Sequence, residues 1–101
     1  MDLFINEEKQ GRHIVDSPHY IEGRSILTAD ANMLLRLYAG KGKQQKNDKG
    51  NFEGRETFMH TDEIGIWKDG EGSHSKTNRG TIHYSKTGAH IVPSKPNNVV
   101  I

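Results

Sequence analysis

Residues 77–93, TNRGTIHYSKTGAHIVP, constrain the fold of this chain more than any other segment. β-branched and aromatic residues stand on both sides of a short turn at residues 86–88, which predicts a β-hairpin. Alternate side chains of a strand share a face. If the first arm is extended throughout, Ile82 and Tyr84 face the core and the odd-numbered residues form the other face. Those odd-numbered residues are Thr77, Arg79, Thr81, His83 and Ser85.

The second arm of this hairpin is a short strand over residues 89–92 that brings His90 alongside the first arm. The face that His90 takes depends on the pairing register, which the sequence leaves open. Lys86 lies in the turn between the two arms.

Composition limits the chain to one small domain. Its 101 residues include 32% hydrophobic residues and carry a net charge of only +1, which is typical of a folded domain with a thin core rather than of a disordered chain. The absence of cysteine excludes disulfides and thiolate metal sites. Because no apolar run approaches the roughly 20 residues that span a bilayer, we expect no membrane association.

Two helices are predicted in the first 40 residues. Asn6 is a suitable N-cap for a helix over residues 7–11, and His13 then falls at or just past the end of that helix. Thr28 is a suitable N-cap for a second helix over residues 29–39, which Gly40 ends.

Short strands separated by turn-forming residues follow the helices. They predict an α+β fold in which two N-terminal helices pack on one face of a small antiparallel sheet of about four strands. We expect a single domain over 1–101, with a helical half at 1–40 and a sheet half at 51–93. The lysine-rich segment 41–51 and the glycine-rich segment 69–76 are expected to be loops, and the tail after Pro93 to be frayed. The predicted strands are 55–60, 63–68, 80–85 and 89–92.

The polar residues of the hairpin match the needs of RNA cleavage. RNA supplies its own nucleophile, the 2′-hydroxyl, so an enzyme need only move two protons and stabilise charge at phosphorus. Histidine suits both proton transfers because its pKa lies near neutrality. Arginine suits the phosphate because its planar fork donates two parallel hydrogen bonds. Thr77, Thr81 and Ser85 are candidate neutral donors.

Each candidate also has a purely structural interpretation. His83 fits a half-exposed sheet position, Arg79 fits a surface ion pair, and Thr81 is a good strand former. Tyr84 stands on the core face of the predicted strand, and Lys86 and His90 fit solvated positions beside a turn. The six histidines show no HxH or HExxH spacing, so we expect neither a metal nor a cofactor. A histidine-dependent metallohydrolase is a third interpretation, and it would require bound zinc or manganese.

Several blocks of the sequence resemble the bacterial polymorphic toxin type 50 domain, a C-terminal module of secreted toxins and of some phage head proteins. The most specific is TNRGTIHYSKTGAHIVPSKP from Thr77. The chain departs from the family pattern at residues 40–42, where AGTG would be expected. The supporting blocks are EKQGRHI around His13, GRS at 23–25, LLRLYAGKGK at 34–43 and EIGIW at 63–67.

The resemblance implies the fold of the small ribonucleases that include barnase, EndoU, some colicins and RelE. It implies a metal-independent endoribonuclease that leaves a 2′,3′-cyclic phosphate; transfer RNA is one candidate substrate, and a ribosomal site or any single strand are the alternatives. The alternative is a non-catalytic RNA-binding or phage head-associated module. The implied catalytic residues are His13, Thr77, Arg79, Thr81, His83 and Tyr84, and we expect Arg24, Ser25, Lys86 and His90 to bind the substrate.

The resemblance also sets expectations about partners and place of action. It implies RNA as the substrate and an immunity protein as a partner, and we expect a monomer. It further implies action in the cytoplasm of a target bacterium, after delivery as the C-terminal part of a larger protein.

Overall fold

A computed structural model describes residues 4–96, which form two short helices and seven strands arranged in two antiparallel sheets. The α+β class predicted from the sequence is confirmed. The helices are α1 (Glu7–Gly11) and α2 (Ala31–Tyr38). The strands are β1 (Ile26–Leu27), β2 (Lys43–Lys46), β3 (Phe52–Met59), β4 (Gly65–Lys68), β5 (His74–Thr77), β6 (Arg79–Ser85) and β7 (Gly88–Pro93).

The helix ends follow local capping chemistry. The Asn6 side chain accepts a hydrogen bond from the Lys9 backbone N–H, so α1 begins as predicted. The second helix begins two residues later than predicted, because Asp30 is its N-cap. Thr28 is drawn away from the helix, since its backbone N–H and its hydroxyl both donate to the carbonyl of Ile64.

Two segments that we expected to be loops contain strands. The larger sheet has the order β2-β3-β6-β7, and its edge strand β2 lies within the lysine-rich segment, where Lys43 pairs with Thr57. The smaller sheet has the order β1-β4-β5, and β5 lies at the end of the glycine-rich segment, where His74 pairs with Lys68. The four predicted strands therefore do not form one sheet: three of them correspond to β3, β6 and β7 of the larger sheet, whereas 63–68 corresponds to β4 of the smaller sheet.

The core lies between α2 and one face of the four-stranded sheet. Leu34 and Leu35 of α2 are buried with Phe58 of β3, Ile82 of β6 and Ile91 of β7. The even-numbered face of β6 therefore points inward, as its alternating pattern predicts. The opposite face of the sheet carries the odd-numbered residues of β6 and remains partly exposed.

Helix α1 lies along the free edge of β7. The Gln10 side chain is 0% exposed, its Nε2 donates to the carbonyl of Ile91 at 2.9 Å, and its Oε1 accepts from the Ile91 N–H at 2.7 Å. Just before the helix, Ile5 forms a parallel bridge with Ala89 of the same strand. The prediction that both helices pack on one face of a single sheet is thus not confirmed, because α1 takes the place of a further strand at the edge.

The residues after β7 are held by side chains of β5 and β6. Thr77 Oγ1 donates to the carbonyl of Ser94 at 2.7 Å, and an Arg79 guanidinium nitrogen donates to the carbonyl of Lys95 at 3.1 Å. The expectation of a frayed tail is therefore wrong for residues 94–96, and residues 97–101 lie outside the described part of the chain. Within residues 4–96, no helix is long and apolar enough to cross a membrane.

Candidate active site

Three histidine rings lie in a row on the outer face of the four-stranded sheet. His83 of β6 and His90 of β7 are direct cross-strand partners, and their ring centroids are 4.8 Å apart with an interplanar angle of 13°. The His13 ring stacks on the other side of His90, with centroids 6.1 Å apart and an angle of 10°. We call His13, His90 and His83 the histidine row.

His13 is placed in the row by the end of α1, which Gln10 holds against β7. His13 is 5% exposed, and its Nδ1 lies 2.9 Å from the carbonyl oxygen of Ser25. A carbonyl can only accept, so Nδ1 carries a proton and Nε2 of the neutral ring is left as a proton acceptor. Burial lowers the pKa of His13. The hydrogen bond to Ser25 raises this pKa, and the positive charges of Arg24 and Arg12 lower it further.

The other two histidines also have lowered pKa values. Burial lowers the pKa of His83, and Arg55 and His13 lower it further. Burial is also the largest cause of the lowered pKa of His90, and the neighbouring His83 and His13, with Lys9 and Arg12, lower it further, to about 4. These shifts favour the neutral form of each ring when no anion is bound, and a proton on one ring opposes a second proton on the next.

Basic side chains surround the histidine row. The positive charges of Arg12 and Arg24 lower the pKa of His13, and that of Lys9 lowers the pKa of His90. At the opposite end, Arg55 of β3 is the direct cross-strand partner of His83. These charges favour an anion next to the rings.

The row gathers several of the residues that the sequence singled out. His13, His83 and His90 are its three rings, and the register that the sequence left open places His90 on the same face as His83. Ser25 contributes its carbonyl, while its hydroxyl is bonded to the backbone of Lys68. Arg24 is exposed beside His13.

Three other predicted residues, Thr77, Arg79 and Thr81, precede His83 in the chain and lie outside the histidine row. Thr77 belongs to β5, is 3% exposed, and has its hydroxyl bonded to the backbone of Ser94 and Arg79. Arg79 begins β6, and Thr81 lies between it and His83 on the same face of that strand. The Thr81 hydroxyl is 2.7 Å from the hydroxyl of Ser94.

Tyr84 and Lys86 lie apart from the row. Tyr84 is on the core-facing side of β6, and its hydroxyl donates to Glu56 Oε1 at 2.6 Å. Burial and this carboxylate raise the pKa of Tyr84 well above its ordinary value. Lys86 is exposed in the two-residue turn between β6 and β7.

Sequence reasoning missed Arg55 and Lys9. Arg55 lies far from the hairpin in the sequence, and only the β3–β6 register makes it a neighbour of His83. Lys9 reaches the hairpin turn, where its Nζ lies 3.3 Å from the hydroxyls of Ser85 and Thr87. Neither residue stands in a short motif that could have indicated its position.

The row offers proton transfer and anion binding. Its rings stack face to face, and among residues 4–96 no group of three or more histidine, cysteine or acidic residues is placed to hold a metal ion. Neutral imidazoles beside cations can take a proton from a hydroxyl, return one to a leaving oxygen, and contact a phosphate that lies along the row.

Comparison with models of protein families identifies the family of this chain. The model of the family described as bacterial toxin 50 matches residues 5–93, a range that includes the whole histidine row. A search of the curated proteins finds no matching sequence.

Proposed function

The chain belongs to the bacterial toxin 50 family, and from that premise we propose that it is a toxin effector domain that cleaves RNA at the histidine row. The single observation that carries this proposal is the row itself. Three parallel imidazoles with lowered pKa values, bordered by arginines at both ends, are suited to a reaction on a phosphodiester.

The proposed reaction is an internal transesterification that uses only groups of the protein and of the RNA. A neutral imidazole takes the proton of the 2′-hydroxyl, and the 2′-oxygen attacks phosphorus. The bond from phosphorus to the 5′-oxygen breaks, and a second imidazole, whose protonated form the bound phosphate anion favours, gives its proton to that oxygen. The products are a 2′,3′-cyclic phosphate and a 5′-hydroxyl.

We assign the two proton transfers to His13 and His83. In-line displacement places the attacking and leaving oxygens on opposite sides of phosphorus, and these two rings flank His90 from opposite sides. With a pKa of about 4, His90 is a weak base at neutral pH, so we assign it to contact with the phosphate.

The remaining predicted residues take outer roles in this proposal. Arg24 and Lys86 contact neighbouring phosphates, and Thr81 adds a neutral donor beside His83. Thr77 and Tyr84 support the sheet that carries the row. The proposal keeps RNA, including transfer RNA, as the substrate, an immunity protein as a partner, and delivery to the cytoplasm of a target bacterium within a larger protein.

The test is incubation of the protein with cellular RNA in EDTA, followed by analysis of the product ends. We expect discrete fragments that carry 2′,3′-cyclic phosphates. A 2′-deoxy substitution at a mapped cleavage position should block cleavage there, because the nucleophile is missing. Cleavage that requires a metal ion, or salt-dependent RNA binding without any product, would contradict the proposal, and the second outcome would favour the non-catalytic binding module.

A further inference from the structure

We propose that Arg55 is the residue that binds the scissile phosphate, an inference that rests on the proposed function and names the cation of that same site. The resemblance pointed to Arg79 for this task. The geometry of the sheet favours Arg55.

Arg55 lies in line with two rings of the histidine row. It is paired directly with His83, which is paired directly with His90, so the three residues run side by side across β3, β6 and β7. Direct cross-strand neighbours have Cβ atoms roughly 4.5 to 5.5 Å apart. A phosphate on the rings of His83 and His90 is therefore within reach of the Arg55 guanidinium.

Arg79 lies farther from the same rings. It is four residues before His83 on β6, a separation of about 13 Å along an extended strand. Its guanidinium also donates to the carbonyl of Lys95, which helps to hold the segment after β7. Arg79 is thus placed to stabilise this end of the sheet, at a distance from the row.

Arg55 is accessible and is held by a partner that a phosphate can replace. Its guanidinium lies 3.1 Å from Glu53 Oε2, and the two side chains are 46% and 36% exposed. Surface ion pairs of this kind contribute little to stability. A phosphate offers the guanidinium two parallel charge-assisted hydrogen bonds. Glu53 also sets a negative charge beside the phosphate position, so removing that charge should strengthen phosphate binding.

The first test compares the cleavage rates of variants that remain folded by thermal unfolding. We expect Arg55→Ala to lower kcat/KM about 10²- to 10³-fold, the usual loss for a donor to developing charge. We expect this loss to be at least about tenfold greater than that of Arg79→Ala. Arg36→Ala removes an exposed arginine from α2 and should leave the rate unchanged. A larger loss in Arg79→Ala than in Arg55→Ala would overturn the inference.

The second test does not depend on cleavage. Inorganic phosphate is titrated into the protein while the ring signals of His83 are followed by NMR. We expect Arg55→Gln to weaken phosphate binding at least about tenfold and Glu53→Gln to strengthen it. The pKa of His83 should also rise in Arg55→Gln, because the wild-type arginine lowers it. Equal phosphate affinity in wild type and Arg55→Gln would overturn the inference.

The two tests separate this inference from the proposed function. If the wild type cleaves no RNA but binds phosphate through Arg55, the ribonuclease proposal fails, and Arg55 is supported as a phosphate-binding residue of the histidine row but not as a contact of a scissile phosphate. If RNA is cleaved and Arg55→Gln binds phosphate as tightly as the wild type, the ribonuclease proposal stands and the inference about Arg55 is wrong.

Discussion

Replacing Gln10 tests whether a single buried amide fixes α1, and with it His13, to the edge of the sheet. The amide gives β7 a donor and an acceptor, as a further strand would, through the N–H and carbonyl of Ile91. Gln10→Ala leaves both backbone groups buried without these partners. Each unsatisfied group costs about 1 to 3 kcal/mol, so we expect the free energy of unfolding to fall by about 2 to 6 kcal/mol.

That loss is large for a domain of this size. Small domains have unfolding free energies of about 5 to 15 kcal/mol, and 1 kcal/mol corresponds to about 4 to 8 °C in Tm for 60 to 100 residues. Urea unfolding followed by circular dichroism measures the change directly. Gln44→Ala, on the exposed edge strand β2, is the matched control and should change stability by less than about 0.5 kcal/mol.

A charge variant at the same position gives the prediction a pH dependence. In Gln10→Glu the carboxylate still accepts from the Ile91 N–H but opposes the Ile91 carbonyl, so the folded-state pKa of the new group is raised above its ordinary value of about 4.3. A raised folded-state pKa gives stability that is present below the unfolded-state pKa and is lost as the pH rises through the folded-state pKa. Relative to wild type at each pH, Gln10→Glu should therefore be less stable at pH 7 than at pH 4.

Two results would refute this account of the edge. One is a Gln10→Ala variant within about 1 kcal/mol of wild type. The other is a Gln10→Glu variant whose difference from wild type does not depend on pH. Either result would mean that water or another group satisfies Ile91, and that α1 is held mainly by other contacts.

Two further predictions concern buried charge. His90 has a pKa near 6.5 in the unfolded chain and about 4 in the folded chain, so the free energy of unfolding falls as the pH drops through this window. A shift of this size corresponds to roughly 3 kcal/mol in full. Because solvent reaches the ring, we expect a loss of about 1 to 2 kcal/mol by urea unfolding. A His90→Gln variant should lose less stability over that pH range than wild type, and an equal loss would contradict the reasoning. The fully buried Glu56 accepts hydrogen bonds from the N–H groups of Gly40 and Gly42 and from the Tyr84 hydroxyl. Glu56→Gln should lower the free energy of unfolding by about 2 to 4 kcal/mol, and Tyr84→Phe, which removes one hydrogen bond, should lower it by about 1 kcal/mol, both measured by urea unfolding. A Glu56→Gln variant at least as stable as Tyr84→Phe would contradict these hydrogen bonds.

Local patterns in the sequence predicted the elements that local chemistry determines. Asn6 caps α1 as expected, and alternation along β6 correctly places Ile82 inward and His83 outward. The start of α2 was predicted less well, because Thr28 and Asp30 are both suitable caps. The choice between them depends on the contact of Thr28 with Ile64, which only the tertiary structure supplies.

Edge strands and the composition of the site depend on contacts that no local pattern encodes. β2 and β5 consist almost entirely of polar residues, so their sequences lack the apolar alternation by which strands are found. Their pairing with β3 and β4 defines them. Likewise, the register of β7 against β6 decides that His90 joins His83. Arg55 enters the site through the register of β3, and His13 enters through the docking of α1.

The most direct test of the central claim is the cleavage rate of single histidine variants on one RNA substrate in EDTA, with folding checked for each. We predict that His13→Ala and His83→Ala each lower kcat/KM by about 10²-fold or more, as expected for the loss of a general acid or base. His74→Ala, at the exposed start of β5, is the control and should cleave at the wild-type rate. Folded His13→Ala and His83→Ala variants that cleave as fast as the control would contradict the assignment of the histidine row as the active site.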